Sequence, residues 1–123
     1  MQLSKTEEQL MQHIWKLKKA FMKDILEAYP NQKPATTTIA TLLKRMTDKG
    51  FIDYKLYGKS REYFPLVKKK DYFSKHVNGL IKNFFNDSAS QFASFFTKET
   101  NLSMEELEQL KSLIDSELKK KKP

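Results

Sequence analysis

The sequence predicts a mainly α-helical fold that contains one small β-hairpin. Apolar residues recur at helical spacing along most of the 123 residues, and the chain has only three glycines and four prolines. The period changes to that of strands between residues 51 and 65, which are rich in β-forming residues. A chain of this length favours one compact domain, or one small domain with an appendage.

The first two helices are predicted from their ends. Ser4 and Glu7 have the spacing of a capping box, so a helix should run from about residue 4 to residue 18. A second, shorter helix carries apolar residues from Met22 to Tyr29. It must end before Pro30, because the residue that precedes a proline is disfavoured in the helical region.

A third helix is predicted from about residue 36 to residue 49, where Gly50 is a natural stop. One face of this helix is apolar. The opposite face carries threonines and cations and has no carboxylate before Asp48. A solvated surface helix usually mixes both signs of charge, so this one-sided face indicates a binding function.

The hairpin follows directly. Residues 51–57 predict one strand, Gly58-Lys59-Ser60 a turn, and residues 61–64 a second strand that Pro65 closes. Residues 57–61 therefore form a basic tip. Three helices followed by a hairpin give the order of a winged helix-turn-helix domain.

This order predicts a DNA-binding surface. The second helix of a helix-turn-helix motif enters the major groove, and threonine can bond phosphates or base edges and touch a thymine methyl. The hairpin tip, or wing, would reach the DNA backbone or the minor groove. The predicted DNA-binding residues are Thr36, Thr37, Thr38, Thr41, Lys44, Arg45, Lys59 and Arg61.

Charge divides the chain in the same way. Residues 1–70 hold 15 basic and 7 acidic residues and carry the whole net charge of +8, whereas residues 71–123 are neutral. We therefore predict a DNA-binding domain at 1–70 and a helical dimerisation domain at 71–123. The alternative is that the lysines only solubilise the surface.

Residues 71–123 predict three helices whose apolar faces need a partner. Six phenylalanines lie between residues 73 and 96, more than about fifty residues of helix can bury alone. Pairing with a second copy resolves this, although the aromatic residues could instead fold back onto residues 1–66. The predicted dimer residues are Phe73, Val77, Leu80, Ile81, Phe84, Phe92, Phe95, Phe96, Leu107, Leu110 and Ile114.

Several classes of function lack sequence support. The absence of cysteine excludes disulfides, thiolate metal sites and cysteine nucleophiles. His13 and His76 have no catalytic partner at a meaningful spacing, and no phosphate loop or metal motif occurs. We expect no enzyme activity, no cofactor, no bound metal and no membrane insertion, and by default a cytoplasmic protein.

Six stretches of the chain together form a recognisable pattern. They are Leu3 to Glu7, His13 to Trp15, Thr38 to Arg45, Lys49 to Asp53, Arg61 to Val67, and Asn101 to Leu107. In their order and spacing the sequence resembles the BlaI/MecI/CopY family of penicillinase repressors over nearly the whole chain. No single motif is decisive, but together they are specific.

The resemblance implies a bacterial homodimer that binds a palindromic operator and represses a nearby operon, of a β-lactam-resistance or stress type. It also implies a membrane sensor peptidase as a partner, since in the β-lactam branch such a peptidase triggers cleavage of the repressor. Three departures stand out. Thr37 and Ala40 replace basic residues of the reading helix, Phe95-Phe96 replaces the cleaved Asn-Phe pair, and the cysteines of the copper-sensing branch are missing.

Two functions from different classes remain at this point. The first is a dimeric repressor, whose binding to DNA should depend steeply on salt. The second is a protein–protein adaptor without specific DNA binding, because winged helices can also serve as docking modules. Retention on a DNA or heparin column at moderate salt would distinguish them.

Overall fold

A computed structural model describes residues 2–122 and confirms the predicted fold class. Within that range the chain forms six helices and a two-stranded antiparallel hairpin. The elements are α1 (Lys5–Leu17), α2 (Met22–Ala28), α3 (Thr36–Asp48), β1 (Ile52–Tyr57), β2 (Ser60–Pro65), α4 (Lys69–Phe84), α5 (Ala89–Glu99) and α6 (Met104–Lys121).

The capping box predicted for α1 is present. The Glu7 amide donates to Ser4 Oγ at 3.2 Å, and the Ser4 amide donates to Glu7 Oε1 at 2.8 Å. These bonds satisfy two amides that a helix start otherwise leaves without partners. The same arrangement starts α6, where Ser103 and Glu106 form the box.

The hairpin is built on a two-residue turn. Gly58 has φ +63°, which matches the type II′ turn that places glycine first and suits the twist of paired strands. The register pairs Tyr54 with Tyr63 and Leu56 with Arg61. Ala20 extends the sheet, because its amide and carbonyl both bond the Tyr63 backbone, at 2.9 and 2.8 Å.

Two compact units follow one another along the chain. The first unit ends at Ser74 and the second unit begins at Lys75. The first unit has a continuous apolar core at the meeting of α1, α2, α3 and the hairpin. Its buried apolar residues are Leu3, Leu10, Met11, Ile14, Ala20, Ile25, Ile39, Leu42, Leu43, Met46, Phe51, Ile52 and Tyr63.

The start of α4 belongs to the first unit because aromatic contacts hold it there. The Tyr72 ring lies 5.7 Å from the Trp15 ring and 5.8 Å from the Phe51 ring. Tyr72 Oη donates to Glu8 Oε2 at 2.6 Å, and burial together with this bond raises the pKa of Tyr72 to about 12. The structural boundary therefore lies a few residues beyond residue 70.

The second unit contains the rest of α4 together with α5 and α6. Phenylalanine rings contact one another here, as Phe85 lies 5.5 Å from both Phe92 and Phe95. Even so, none of the described residues from 75 to 122 is buried. The second unit thus has local aromatic contacts without an enclosed core.

Candidate nucleic-acid interface

Packing against the core determines which face of α3 is exposed to solvent. Ile39, Leu42, Leu43 and Met46 are buried, and α3 packs against α1 and β1. The remaining face is therefore turned outward. All six residues predicted for DNA contact on this helix are exposed, namely Thr36, Thr37, Thr38, Thr41, Lys44 and Arg45.

The N-terminus of α3 has neither a capping side chain nor an acidic residue that would repel an anion. Ala35 is the N-cap and provides no side-chain hydrogen bond, and the first turn has no acidic residue. The first turns of α1 and α6, by contrast, both contain glutamates and a capping box. The positive end of the α3 dipole is thus presented with threonine hydroxyls around it.

One stripe along α3 combines hydroxyls with a cation. Thr41 is exposed, and its Oγ1 donates to the Thr37 carbonyl at 3.0 Å, so the oxygen can still accept a hydrogen bond. Lys44 follows on the same stripe. Its Nζ lies 3.2 Å from Asp48 Oδ2 on an exposed surface.

The Lys44–Asp48 ion pair was not predicted from the sequence, although its i,i+4 spacing on a helix indicates it. Exposed pairs of this kind are worth about 0–1 kcal/mol, so a phosphate can displace Asp48 at little cost.

The wing presents its two predicted cations differently. Lys59 is exposed in the turn itself. Arg61 is exposed too, but its guanidinium carbon lies 4.5 Å from the centroid of the Tyr54 ring. The structure thus places all the predicted DNA-binding residues on the surface of the first unit, on α3 and on the hairpin that follows it.

Lys49 has a structural role that the sequence reading missed. Its Nζ lies 2.8 Å from Glu7 Oε1, and the Glu7 side chain is only 2% exposed. Burial alone would raise the pKa of Glu7, but the hydrogen bonds from Lys49 and Ser4 outweigh it and lower that pKa. Lys49 therefore neutralises a buried carboxylate and joins the end of α3 to the start of α1.

His13 packs against an aromatic ring. The His13 ring lies 4.5 Å from the Tyr29 ring, and burial, with a smaller contribution from Lys16, lowers the pKa of His13. Throughout residues 2–122, no three His, Asp or Glu side chains come together as a metal site. No helix in that range is long and apolar enough to cross a membrane.

The predicted dimer residues fall on both sides of the unit boundary. Phe73 lies in the first unit, where its ring is 6.1 Å from the Trp15 ring. The others lie in the second unit. The most exposed among them include Phe84 at 75% and Ile114 at 61%. Leu113 and Leu118 of α6, which were outside the predicted set, are also exposed.

Comparison with known proteins identifies the family of this chain. The family model described as "Penicillinase repressor" matches residues 3–116. The chain belongs to the penicillinase-repressor family. It is 30% identical over 115 residues to the methicillin resistance regulatory protein MecI of Staphylococcus aureus, covering 93% of this chain and 94% of that protein. It is 24% identical over 122 residues to the penicillinase repressor of Bacillus licheniformis, covering 98% and 95% of the two chains.

A solved structure supports the fold of this family member. The solution structure of the DNA-binding domain of the repressor BlaI matches with a TM-score of 0.52 and 28% identity. The match covers 58% of this chain and 88% of that domain. The resemblance read from the sequence is confirmed, and so is the winged-helix fold. The family is one of DNA-binding repressors and not of enzymes.

Proposed function

We propose that this penicillinase-repressor family member is a dimeric transcriptional repressor that binds a palindromic operator. The observation that carries the proposal is the exposed face of α3. It combines hydroxyls and cations at an acid-free helix start, on a unit built around its own core. A cytoplasmic location follows from binding an operator.

The role of α3 in this proposal is to read bases in the major groove. Thr37 and Thr38 lie in the first turn, where side chains of a recognition helix meet base edges. Lys44 and Arg45 lie two turns further along, where contact with phosphates is more natural. Thr37 and Ala40 differ from the basic residues at these places in the β-lactam repressors, so we expect an operator of different sequence.

The wing supplies contacts that do not depend on sequence. Lys59 and Arg61 would meet the DNA backbone or the minor groove beside α3. Removing them should weaken binding to every duplex alike and make the salt dependence shallower, because each phosphate contact releases counterions. Removing Thr37 or Thr41 should instead relax the preference for one sequence.

A second copy completes the second unit in this proposal. Exposed apolar side chains on α4, α5 and α6 form a surface that water would otherwise cover. Two copies joined there present two α3 helices, which suits half-sites about 10 bp apart on one side of the duplex. A palindromic site is the natural target of such a twofold arrangement.

The membrane sensor peptidase remains a prediction of the family resemblance. Phe95 and Phe96, which stand at the position of the family's cleaved pair, lie inside α5. Incubation with membranes that contain the cognate peptidase, followed by mass spectrometry, tests this partner. Cleavage between the two residues would support it, and an intact chain would remove it from the proposal.

The proposed function is tested by selection from genomic DNA. Purified protein is mixed with random genomic duplex fragments at two salt concentrations, and the retained fragments are sequenced. The proposal expects one palindromic motif to persist at the higher salt. Binding that vanishes with salt and selects no motif would leave only a basic surface, and an adaptor would become the better explanation.

Variants on the two faces of α3 provide the matched control. Thr37→Ala and Thr41→Ala change the proposed reading face, whereas Thr47→Ala changes a threonine on the same helix that bonds the Leu43 carbonyl and is half-buried. We expect the first two variants to broaden the selected motif and the third to leave it unchanged. Equal motifs from all three would contradict the assignment of α3.

A further inference from the structure

The Arg61 side chain rests on an aromatic ring within the wing. Its guanidinium carbon lies 4.5 Å from the centroid of the Tyr54 ring. The two residues are diagonal neighbours on one face of the hairpin, since Tyr54 pairs with Tyr63 and the adjacent pair on that face includes Arg61. Long side chains reach each other across such a diagonal, and the ring attracts a cation at this distance.

The ring beneath Arg61 is attached to the core. Tyr54 is half-buried, and its ring lies 5.5 Å from the ring of the buried Tyr63. Tyr63 is held in turn by its two backbone hydrogen bonds to Ala20. The pKa of Arg61 is raised, first by a hydrogen bond to the Tyr63 side chain and then by the nearby Tyr54. An exposed guanidinium therefore sits on a fixed support.

Stacking leaves the binding groups of Arg61 available. A guanidinium over a ring uses its flat face, whereas its N–H donors point outward from its edge, and those that do not bond Tyr63 stay available. A phosphate or a base edge can therefore be bound without breaking the contact with Tyr54. Lys59, in the turn, has instead a flexible stem and a compact charge.

We infer that Tyr54 is a positioning residue that holds the Arg61 guanidinium in place for its contact with DNA. The inference rests on the proposed function, because it assumes that the wing meets the duplex. Ordering a long side chain at an interface lowers an association constant by about two- to tenfold, and a side chain already held in place avoids that loss. Tyr54 would thus contribute to binding without touching DNA itself.

A double-mutant cycle on the full chain tests the inference. Fluorescence anisotropy measures affinity for the duplex recovered in the genomic selection, or for mixed-sequence duplex at low salt. Tyr54→Leu should weaken binding by about two- to tenfold, and Tyr54→Phe, which keeps the ring, should change it by less than about twofold. In an Arg61→Ala background, Tyr54→Leu should have no further effect.

A second aromatic residue of the wing supplies the matched control. Tyr57 lies on β1 as well and is exposed, but its ring lies 5.9 Å from the Phe21 ring and not beneath Arg61. Tyr57→Leu should have the same effect on affinity in the wild-type and Arg61→Ala backgrounds. Thermal unfolding of each variant identifies any loss of binding that comes from loss of the fold.

An independent measurement needs no change at Tyr54. The sequence contains two arginines, and Arg45 is exposed on α3. In the free wild-type protein, 15N relaxation of the arginine Nε–H groups should show that the Arg61 side chain is ordered and that the Arg45 side chain is mobile. Equal mobility of the two would overturn the inference even if Tyr54→Leu failed to fold.

The outcomes separate the inference from the proposed function. If Arg61→Ala binds DNA as the wild type does, the role of the wing in the proposed function is wrong, and the inference is wrong with it. If Arg61→Ala weakens binding but Tyr54→Leu adds the same loss in both backgrounds, only the inference is wrong.

Discussion

Both units of this chain contain many apolar residues, but they differ in how far they bury them. In the first unit, side chains from three helices and a hairpin meet in one buried cluster. In the second unit, phenylalanine rings at the end of α4 and on α5 contact one another, but none of the described residues is buried. The first unit thus has an apolar core of its own, whereas the described part of the second unit has none.

This difference suits the two tasks that we propose for the chain. The proposed DNA-binding face needs a rigid support, and the buried residues of α3 lie in the core behind it. The proposed dimerisation surface needs apolar area left over after folding, and exposed apolar side chains lie on α4, α5 and α6. Burial of such area contributes roughly 25 cal/mol per Å², so the pairing that we propose would stabilise the second unit.

The largest expected effect lies at the ion pair of the first unit. Lys49→Met leaves the Glu7 carboxylate buried without its cation, and breaking a buried pair costs about 3–5 kcal/mol. Urea unfolding followed through Trp15, the only tryptophan, measures the loss. Lys44→Met is the control, because it breaks an exposed pair and should cost less than about 1 kcal/mol. Equal losses would contradict the structural role of Lys49.

The same pair predicts a pH dependence. The folded protein lowers the pKa of Glu7, so this group contributes stability above its ordinary value of 4.5 and loses that contribution as the pH falls below it. The unfolding free energy should therefore decline more steeply below pH 4.5 in the wild type than in Glu7→Gln. Parallel curves of unfolding free energy against pH for the two proteins would show that folding does not change the pKa of Glu7.

The same leucine-to-alanine substitution, made once in each unit, compares how much a side chain contributes to the free energy of unfolding. Leu43→Ala removes a fully buried side chain and should cost about 2–5 kcal/mol at any protein concentration. Leu113→Ala removes an exposed side chain and should cost less than about 0.5 kcal/mol when the protein is dilute. A large loss in dilute Leu113→Ala would mean that the second unit has a core of its own.

A charge on α6 should weaken the dimer and leave the first unit intact. Ile114→Lys places a cation in the proposed interface and should weaken self-association at least about tenfold, since burying one large aliphatic side chain is worth about 1.5–3 kcal/mol. Sedimentation equilibrium measures this change. Ser116→Lys adds the same charge on the opposite side of the helix and should have little effect. Equal association in both variants would exclude this face.

The smallest effect concerns the start of α4. Tyr72→Phe keeps the ring between Trp15 and Phe51 but removes the bond to Glu8, which should cost about 1–2 kcal/mol. Tyr57→Phe, in the exposed wing, should cost nearly nothing. Both are measured by urea unfolding through Trp15 fluorescence. No difference between them would show that the Glu8 bond does not stabilise the fold.

Much of the fold was predictable because local chemistry determines it. Ser4 and Ser103 start helices by capping, Pro30 and Gly50 end them, and Gly58 sets the hairpin turn. These signals act within a few residues, so the sequence alone reveals them. The exposed threonine face of α3 was equally visible, since helical spacing separates it from the buried residues of the same helix.

Contacts between residues that are distant in sequence could not be predicted from local patterns. The pairing of Lys49 with Glu7 joins residues 42 positions apart, and no local pattern distinguishes Lys49 from the other lysines. The stacking of Arg61 on Tyr54 depends on the strand register. The Lys44–Asp48 pair could have been found from its spacing alone.

We propose that the first unit is complete in one chain and that the second unit requires a second copy. Urea unfolding at protein concentrations that span about a hundredfold tests it, with Trp15 fluorescence reporting the first unit and helical circular dichroism reporting both. We expect a Trp15 midpoint that stays fixed and a separate helical transition that moves to higher urea as protein concentration rises. Two transitions that ignore concentration would contradict the account.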